Sequence, residues 1–302
     1  MTYEDYLLNV FYLIDSELQA LNLRLRQRGP TPKLCDSEVI TMEIVGEFLG
    51  IDTDKGIWAY FRRHHLKEFP ALAQSDRTRF ARQAADLWRI KQLLQERLLA
   101  LLPTDQMLDD ASPLWLIDSF PLRVCRFKRA ARHKLFRGLG AAFGHDPTGE
   151  RTFYGFRVHL RCTDRGFCAA AALAPGNVAD WPMVQELLPP TPAVAVADRN
   201  YWNPDGNEFL LASKGLEVVA PFRKESTDPA PCWSAVLSRL RQIIEPVIGQ
   251  LAVRFHCQRT WARDMWHLCS RLARKFLSHT LSVLLNWREG HPPLQLDLLI
   301  TN

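Results

Sequence analysis

The sequence lacks the features of membrane-spanning, secreted and disulfide-rich proteins. No window of eighteen consecutive residues is apolar, which argues against a membrane span. The opening residues, MTYEDYLLNVFYLIDSEL, are acidic and amphipathic, unlike a secretory signal. The seven cysteines are odd in number and scattered, and no CxxC pair occurs, so neither a disulfide framework nor a zinc ribbon is expected. We therefore predict a cytoplasmic globular protein with no membrane partner.

Positive charge is unevenly distributed along the chain. Residues 1–117 hold 14 Lys and Arg against 17 Asp and Glu, whereas residues 119–165 hold 11 against 3. Such a basic block indicates a polyanionic partner, and the alternative is a solvated loop. The side chains of this block that we expect to neutralise phosphates are Arg123, Arg126, Lys128, Arg129, Arg132, Lys134 and Arg137.

The pattern of apolar residues changes near residue 110. Before it, apolar residues recur at helical spacing, as in residues 2–21 and 75–102, which predicts a small all-α domain. After it, the order β-β-β-α-β-α-β-α predicts a mixed sheet with helices on its faces, an α/β fold. The predicted strands are 113–119, 154–164, 166–177, 193–198 and 216–222. We predict a helical domain over residues 1–110 and an α/β domain with C-terminal helices over residues 111–302.

Two of the predicted strands end in an aspartate. The run LWLID ends at Asp118 and the run AVAVAD ends at Asp198. Because an uncompensated buried charge is costly, such a carboxylate is expected either to cap the next element or to point into a site. If the two strands are neighbours, both carboxylates leave the same edge of the sheet.

A third acid, Glu245, lies inside an apolar stretch of a long predicted helix, residues 234–251. One interpretation is a weak ion pair with Arg241, one helical turn earlier. The other is that Glu245 faces the two aspartates. Three converging carboxylates raise one another's pKa, and hard divalent cations such as Mg²⁺ or Mn²⁺ relieve this repulsion. Two such ions act together in phosphodiester chemistry, so we expect a two-ion site.

Two further polar residues have open interpretations. His159, on a predicted strand, either points toward the acidic site or is a hydrogen-bonded core residue. Asp180 precedes a proline-containing segment and is predicted to cap a helix.

Several stretches of the sequence resemble the DDE-type transposases of bacterial insertion sequences, in particular their nine-eighty-two group. Spread over nearly the whole chain, they read SEVITMEIVGEFLG, YFRRHHLKEFP, LWLIDSFPLRVCR, YGFRVHL, APGNVAD, VAVADRNYWN and RQIIEPVIGQL. The resemblance implies a ribonuclease-H-like mixed sheet with flanking helices, in which Asp118, Asp198 and Glu245 match the family's first, second and third acids. It also implies metal-dependent cleavage of double-stranded DNA at element ends, strand transfer into target DNA, and a homodimer on paired ends. The helical N-terminal domain would then recognise the ends.

The chain departs from the family pattern at several positions. Arg199 and Asn200 replace the usual Lys-Gly after the second acid, although Asn tolerates the left-handed conformation that Gly would supply. Arg241 keeps the family's Arg-x₃-Glu spacing, and we predict that it contacts DNA. Two other DNA contacts of related families cannot be carried over, because their positions hold Ser238 and Ala252. A metal-dependent nuclease without strand transfer and a catalytically silent DNA-binding derivative therefore remain alternatives.

Overall fold

The structure, a computed structural model, divides the chain into two compact units. It describes residues 1–23, 31–102, 113–132, 135–136, 138–146, 151–222 and 231–301. One unit contains Met1–Leu102 and Leu251–Asn302, and the other contains Pro103–Gln250. The C-terminal helical residues, which were predicted to belong to the α/β domain, thus pack with the N-terminal helices. The division of functions at residue 110 stays a prediction. Within the described ranges, no helix is long and apolar enough to cross a membrane.

Helices form the first unit, and the second contains the sheet together with further helices. The helices are α1 (Tyr3–Leu21), α2 (Asp36–Phe48), α3 (Asp54–His64), α4 (Arg77–Asp86), α5 (Trp88–Leu99), α6 (Val184–Leu187), α7 (Pro204–Lys214), α8 (Pro231–Arg241), α9 (Ile244–Gly249) and α10 (Met265–Arg288). The strands are β1 (Leu114–Arg123), β2 (Ala142–Asp146), β3 (Arg151–Thr163), β4 (Cys168–Pro175), β5 (Ala193–Ala197) and β6 (Leu216–Val219). Short 3₁₀ segments include Phe127–Arg132, Trp181–Met183 and Arg199–Tyr201.

Helices α2 and α10 form the buried centre of the helical unit. Both carry charged side chains into this interior, including Glu43 and Glu47 on α2 and Lys275 on α10. Opposite charges meet there: Lys275 Nζ lies 2.7 Å from Glu47 Oε2, and Lys91 Nζ, on α5, lies 2.7 Å from Glu43 Oε2. Because an unpaired buried charge is costly, these helices can bury these faces only if the ion pairs form.

One mixed sheet forms the frame of the second unit. Among the described residues it has six strands, in the order β2-β3-β1-β5-β6, with β4 also paired to β3. Strand β1 is antiparallel to β3 and parallel to β5, and β5 is parallel to β6. With its flanking helices, this sheet is the ribonuclease-H-like mixed α/β fold expected from the sequence.

Alternation along β1 divides its side chains between the two faces of the sheet. Ile117 belongs, together with Ala197 of β5, to an apolar core that includes residues of α6 and α7. Since successive side chains of a strand point to opposite faces, Asp118 points away from this core. Helix α9 contacts β1 and helix α8 contacts β5, and Arg241 at the end of α8 reaches Asp118. Ser119 returns to the face of α6 and α7.

Three features differ from the sequence prediction. Strand β1 continues past Asp118 to Arg123, along the length of β3. Strand β2, which no alternating pattern predicted, pairs with the first residues of β3. The predicted continuous helix around Glu245 is interrupted, because α8 ends at Arg241 and α9 begins at Ile244.

Candidate active site

The register between β1 and β5 brings Asp118 and Asp198 to the same level of the sheet. The two strands are parallel neighbours, and the last residues paired between them are Ile117 and Ala197. Asp118 and Asp198 follow this pair directly. The condition set for the two carboxylates, that their strands are neighbours, is therefore met, and both residues lie at the same level of the sheet.

The guanidinium of Arg241, the last residue of α8, lies between these two carboxylates. Its Nη2 atom is 3.3 Å from Asp118 Oδ2, and its Nη1 atom is 3.1 Å from Asp198 Oδ1. The side chain of Asp118 is 17% exposed and that of Asp198 is 28% exposed. The single positive charge of Arg241 thus partly neutralises two carboxylates that remain in contact with solvent.

The electrostatic surroundings of Asp118 favour its protonated form. Burial raises the pKa of Asp118 from the ordinary 3.8 to about 6. The charge of Arg241 and the backbone N–H of Ser119, which donates to Asp118 Oδ1 at 2.7 Å, lower this pKa, whereas the charge of Asp198 raises it. Burial therefore outweighs the favourable contacts. The site carries less negative charge in mildly acidic solution than at neutral pH.

Glu245 lies in the first turn of α9, the helix that contacts β1, and its side chain is exposed. In the part of the chain that the structure describes, it forms no ion pair with Arg241, which turns to the two aspartates instead. The break between α8 and α9 removes the one-turn spacing that such a pair requires. The structure brings Asp118 and Asp198 together and does not bring Glu245 to them, so its role as the third acid stays a prediction.

The paired aspartates fit a hard divalent cation as two of its ligands. Both carboxylates reach a single cation, the Arg241 guanidinium, and carboxylate oxygens are ligands that Mg²⁺ and Mn²⁺ accept. Among the described residues, however, no three His, Cys, Asp or Glu side chains lie close enough together to hold a metal ion. A cation at this place would need at least one further ligand.

The basic block begins farther from Asp118 than the sequence indicated. Strands rise about 3.3 Å per residue, so the extension of β1 places Arg123 about 17 Å from Asp118 along the strand. Arg123 Nη2 lies 3.1 Å from Asp146 Oδ2. The described residues of the block that are exposed are Arg126, Lys128, Arg129 and Arg132. Lys134 and Arg137 lie outside the described residues. Contact of this block with DNA stays a prediction.

A buried polar network that was not predicted lies on the other face of the sheet, behind the aspartates. Its members are Ser119, Arg157, His159, Asp180 and Tyr201. His159 is fully buried, and its Nδ1 atom lies 2.8 Å from the Tyr201 hydroxyl. Of the two interpretations of this residue, the structure therefore supports a hydrogen-bonded core residue and not one that points toward the acidic site. Burial, followed by the charge of Arg157, lowers the pKa of His159 to about 4, which keeps it neutral at neutral pH.

Asp180 also belongs to this network and does not cap a helix. It precedes the 3₁₀ segment Trp181–Met183 and makes no side-chain capping hydrogen bond there. Its carboxylate instead pairs with Arg157, on β3. The only sequence signal for the pairing of Asp180 with Arg157 was that polar residues occur within apolar segments. A helix-capping role for Asp180 explained that signal equally well.

A family model described as a transposase DDE domain matches residues 109–265. This match covers slightly more than half of the 302 residues and contains Asp118, Asp198 and Glu245. No curated protein and no solved structure matches the chain. The match agrees with the ribonuclease-H-like sheet and with the two aspartates at the same level on neighbouring parallel strands. The chain therefore belongs to the DDE-domain transposases, a family of enzymes that cleave nucleic acid.

Proposed function

We propose that the chain is the transposase of a bacterial insertion sequence of the nine-eighty-two group, and that it acts in the cytoplasm. It cleaves DNA at the ends of its element and joins the freed 3′ ends to target DNA. The observation that carries this proposal is the placement of Asp118 and Asp198 at one level of the sheet, around a shared cationic group. Two acids held in this way are suited to bind the cations that phosphodiester chemistry uses.

In this proposal, Asp118 and Asp198 hold Mg²⁺ or Mn²⁺, with Glu245 as the third ligand and two ions in the complete site. Bound there, the ions would supply Lewis-acid chemistry, which lowers the pKa of an attacking water or 3′ hydroxyl and neutralises charge on the leaving oxygen. Glu245 is exposed on α9, next to the strand that carries Asp118. The break between Arg241 and Ile244 is the point at which α9 can turn its first residues toward the aspartates.

The chain's basic residues hold the DNA in this proposal. Arg241 lies between the carboxylates, and its guanidinium would be available to a substrate phosphate if a metal ion occupied them instead. The basic block binds phosphates farther along the duplex, at the element end and on the target; its members are Arg123, Arg126, Lys128, Arg129, Arg132, Lys134 and Arg137. Residues 1–110 recognise the element ends, and two copies of the chain act on paired ends.

A catalytically silent DNA-binding derivative is the second candidate, and a specific observation favours it. Glu245 is exposed and apart from the paired aspartates, so the described residues contain only two of the three expected acids in one place. A nuclease that cuts without joining has the same requirement for metal as a transposase. Products, rather than binding, therefore separate the candidates.

The test is an assay on labelled element-end DNA with Mg²⁺ and a supercoiled target. Joined products support the transposase, cut ends alone indicate a nuclease, and bound but intact DNA indicates the silent derivative.

Asp118→Asn, Asp198→Asn and Glu245→Gln should each reduce cleavage by orders of magnitude, because ligands of one site act as a unit. DNA affinity should stay the same or rise, since each change removes a negative charge near the phosphates. Glu217→Gln, which changes an exposed acid on β6, is the matched control. Equal cleavage by the wild type and all three variants would contradict the metal-site assignment.

A further inference from the structure

A buried carboxylate behind the active site contacts the residues that follow both aspartates. Asp180 is 7% exposed, and its Oδ1 atom lies 3.5 Å from the hydroxyl of Ser119, the residue after Asp118. The side chain of Asn200, two residues after Asp198, is close enough to lower the pKa of the Asp180 carboxyl. A single acid thus connects the two chain segments that carry the paired aspartates.

Ser119 relays this contact to Asp118. The Ser119 hydroxyl accepts a hydrogen bond from Arg157 Nη1 at 3.3 Å and donates toward Asp180, so the side chain is held from two sides. The backbone N–H of the same residue donates to Asp118 Oδ1 at 2.7 Å. The contacts of the Ser119 side chain on the opposite face of the sheet thus fix the residue whose N–H holds Asp118. A reorientation of the Asp118 carboxylate would break this short hydrogen bond.

The turn after Asp198 is held in a similar way. The backbone N–H of Tyr201 donates to the carbonyl of Asp198 at 2.9 Å and closes the 3₁₀ turn that carries Asn200. The Tyr201 side chain is fully buried, and its hydroxyl lies 2.8 Å from His159 Nδ1. Asn200 therefore meets Asp180 from a turn whose position the core determines.

Arg157 provides the counter-charge that lets an acid stay in this place. Its Nε atom lies 3.5 Å from Asp180 Oδ1, and its Nη2 atom donates to the carbonyl of His145 at 2.7 Å. Burial raises the pKa of Asp180, the charge of Arg157 lowers it, and the nearby charge of Asp198 raises it. Removal of the Asp180 carboxylate would leave the mostly buried Arg157 without this partner, close to the site.

Tight packing fixes the segment that carries Asp180. The indole Nε1 of Trp181 donates to Asn207 Oδ1, on α7, at 2.8 Å. A Cβ atom at Gly206 would lie 2.1 Å from the Trp181 ring, so only glycine allows α7 to approach this closely. The position of Asp180 therefore depends on the packing of α7.

We infer that Asp180 is a positioning residue: through Ser119 and Asn200 it fixes the two aspartates at the spacing that cation binding requires. Its contacts are made behind the aspartates, on the other face of the sheet, so it acts through them rather than on the substrate. The inference rests on the proposed function, because it assumes that the paired aspartates bind a divalent cation. Outer partners of metal ligands affect metal affinity by about 10- to 100-fold, which sets the effect to be expected.

The test compares Asp180→Ala and Asp180→Asn with Asp205→Ala, a control at an exposed acid of α7. Calorimetric titration with Mg²⁺ is performed on the full chain without DNA, and turnover and KM are measured on element-end DNA. Asp180→Ala should weaken Mg²⁺ binding about 10- to 100-fold and lower turnover, with KM for DNA unchanged. Asp180→Asn keeps an acceptor for Ser119 and should recover part of the loss, and Asp205→Ala should match the wild type.

Hydrogen exchange measures the geometry independently of the chemistry. In Asp180→Ala, amides of residues 116–120 and 197–202 should exchange faster, whereas those of strand β4 should not change.

Unchanged Mg²⁺ affinity in Asp180→Ala, or a wild type that binds no Mg²⁺, would overturn the inference. General unfolding of both Asp180 variants would overturn it as well, because a purely structural role would then explain the loss. If the wild type binds Mg²⁺ in an Asp180-dependent way and yet cuts no element ends, the proposed function fails and the inference stands.

Discussion

The Nη2 atom of Arg241 lies 3.3 Å from Asp118 Oδ2, although 123 positions of sequence separate the two residues. The same guanidinium reaches Asp198 through Nη1 at 3.1 Å. A protein cation therefore stands where two carboxylates converge, at the place proposed for a metal ion. A guanidinium and a metal ion cannot both bind the same carboxylate oxygens in full, so the two compete.

This competition predicts that Arg241→Ala binds Mg²⁺ more tightly than the wild type. Loss of the guanidinium leaves two acids that repel each other, and an incoming cation relieves that repulsion. We expect a gain of about 10-fold, which corresponds to about 1.4 kcal/mol, measured by calorimetry at neutral pH. Arg239→Ala, which removes an exposed arginine of the same helix, is the control and should change the affinity little. Weaker binding by Arg241→Ala would mean that Arg241 organises the site rather than competing for it.

The raised pKa of Asp118 predicts a specific dependence of stability on pH. The folded-state pKa is about 6 and the ordinary value is 3.8, so between these values the folded protein binds the proton more tightly than the unfolded chain. The stabilisation of the folded state by protonated Asp118 is therefore fully present below the ordinary pKa. It is lost as the pH rises through about 6 and Asp118 ionises. The difference between the two pKa values corresponds to about 3 kcal/mol as an upper limit.

Urea denaturation of the wild type and Asp118→Asn across this pH range measures the effect. The Asn variant cannot ionise, so its free energy of unfolding should rise relative to that of the wild type as pH increases from about 4 to 7. A difference between the two proteins that stays constant with pH would show that Asp118 titrates normally. Mg²⁺ should reduce the loss in the wild type, because a bound cation stabilises the ionised carboxylate.

The paired aspartates were predictable because their signal is local: each follows a short apolar run. The full length of β1 was not, because Pro121 reads as a strand breaker. Beyond Ile117 no described strand pairs with the β5 side of β1, so a residue without an N–H is tolerated there. Sequence patterns indicate which elements form, and the position of a partner across the sheet depends on packing that local sequence does not encode.

The network around Asp180 could not be predicted either, because its contacts join residues that are distant in sequence. Its ion pair joins Arg157, on β3, to a turn more than twenty residues later, and the contact with Ser119 depends on the register between β1 and β3. The interruption between α8 and α9 was not predicted, because the apolar pattern of residues 234–251 continues through it. In the structure the break precedes Glu245, and Pro246 lies in the first helical turn, where the missing N–H costs little.

The basic block predicts a salt-dependent affinity for DNA. Each phosphate contact contributes about 0.9 to the slope of log affinity against log salt, because bound arginines release condensed counterions. Replacing Arg126, Arg129 and Arg132 with Ala should therefore reduce the slope by up to about 3 in fluorescence anisotropy titrations. The control replaces three exposed arginines of the helical unit, Arg259, Arg263 and Arg288. A slope that is unchanged in the first variant would identify the block as a solvated surface that does not bind DNA.

The last prediction concerns the buried ion pair between Lys91 and Glu43 in the helical unit. Lys91 is fully buried, and its Nζ atom contacts both Glu43 carboxylate oxygens, the Ala84 carbonyl and the Ser270 hydroxyl, all within 2.9 Å. Lys91→Met removes the nearer cation and leaves the buried Glu43 carboxylate with only Arg274 Nη1, at 3.6 Å. We expect this variant to lose about 3–5 kcal/mol in the free energy of unfolding, measured with urea.

The double variant Lys91→Met with Glu43→Leu should be much less destabilised than Lys91→Met alone. Both charges are then absent, and apolar side chains of similar size fill the space, so no buried group lacks a partner. Lys67→Met, at an exposed lysine of the same unit, should stay within about 0.5 kcal/mol of the wild type. If the two losses simply added in the double variant, the pair would contribute through its packing volume and not through charge compensation.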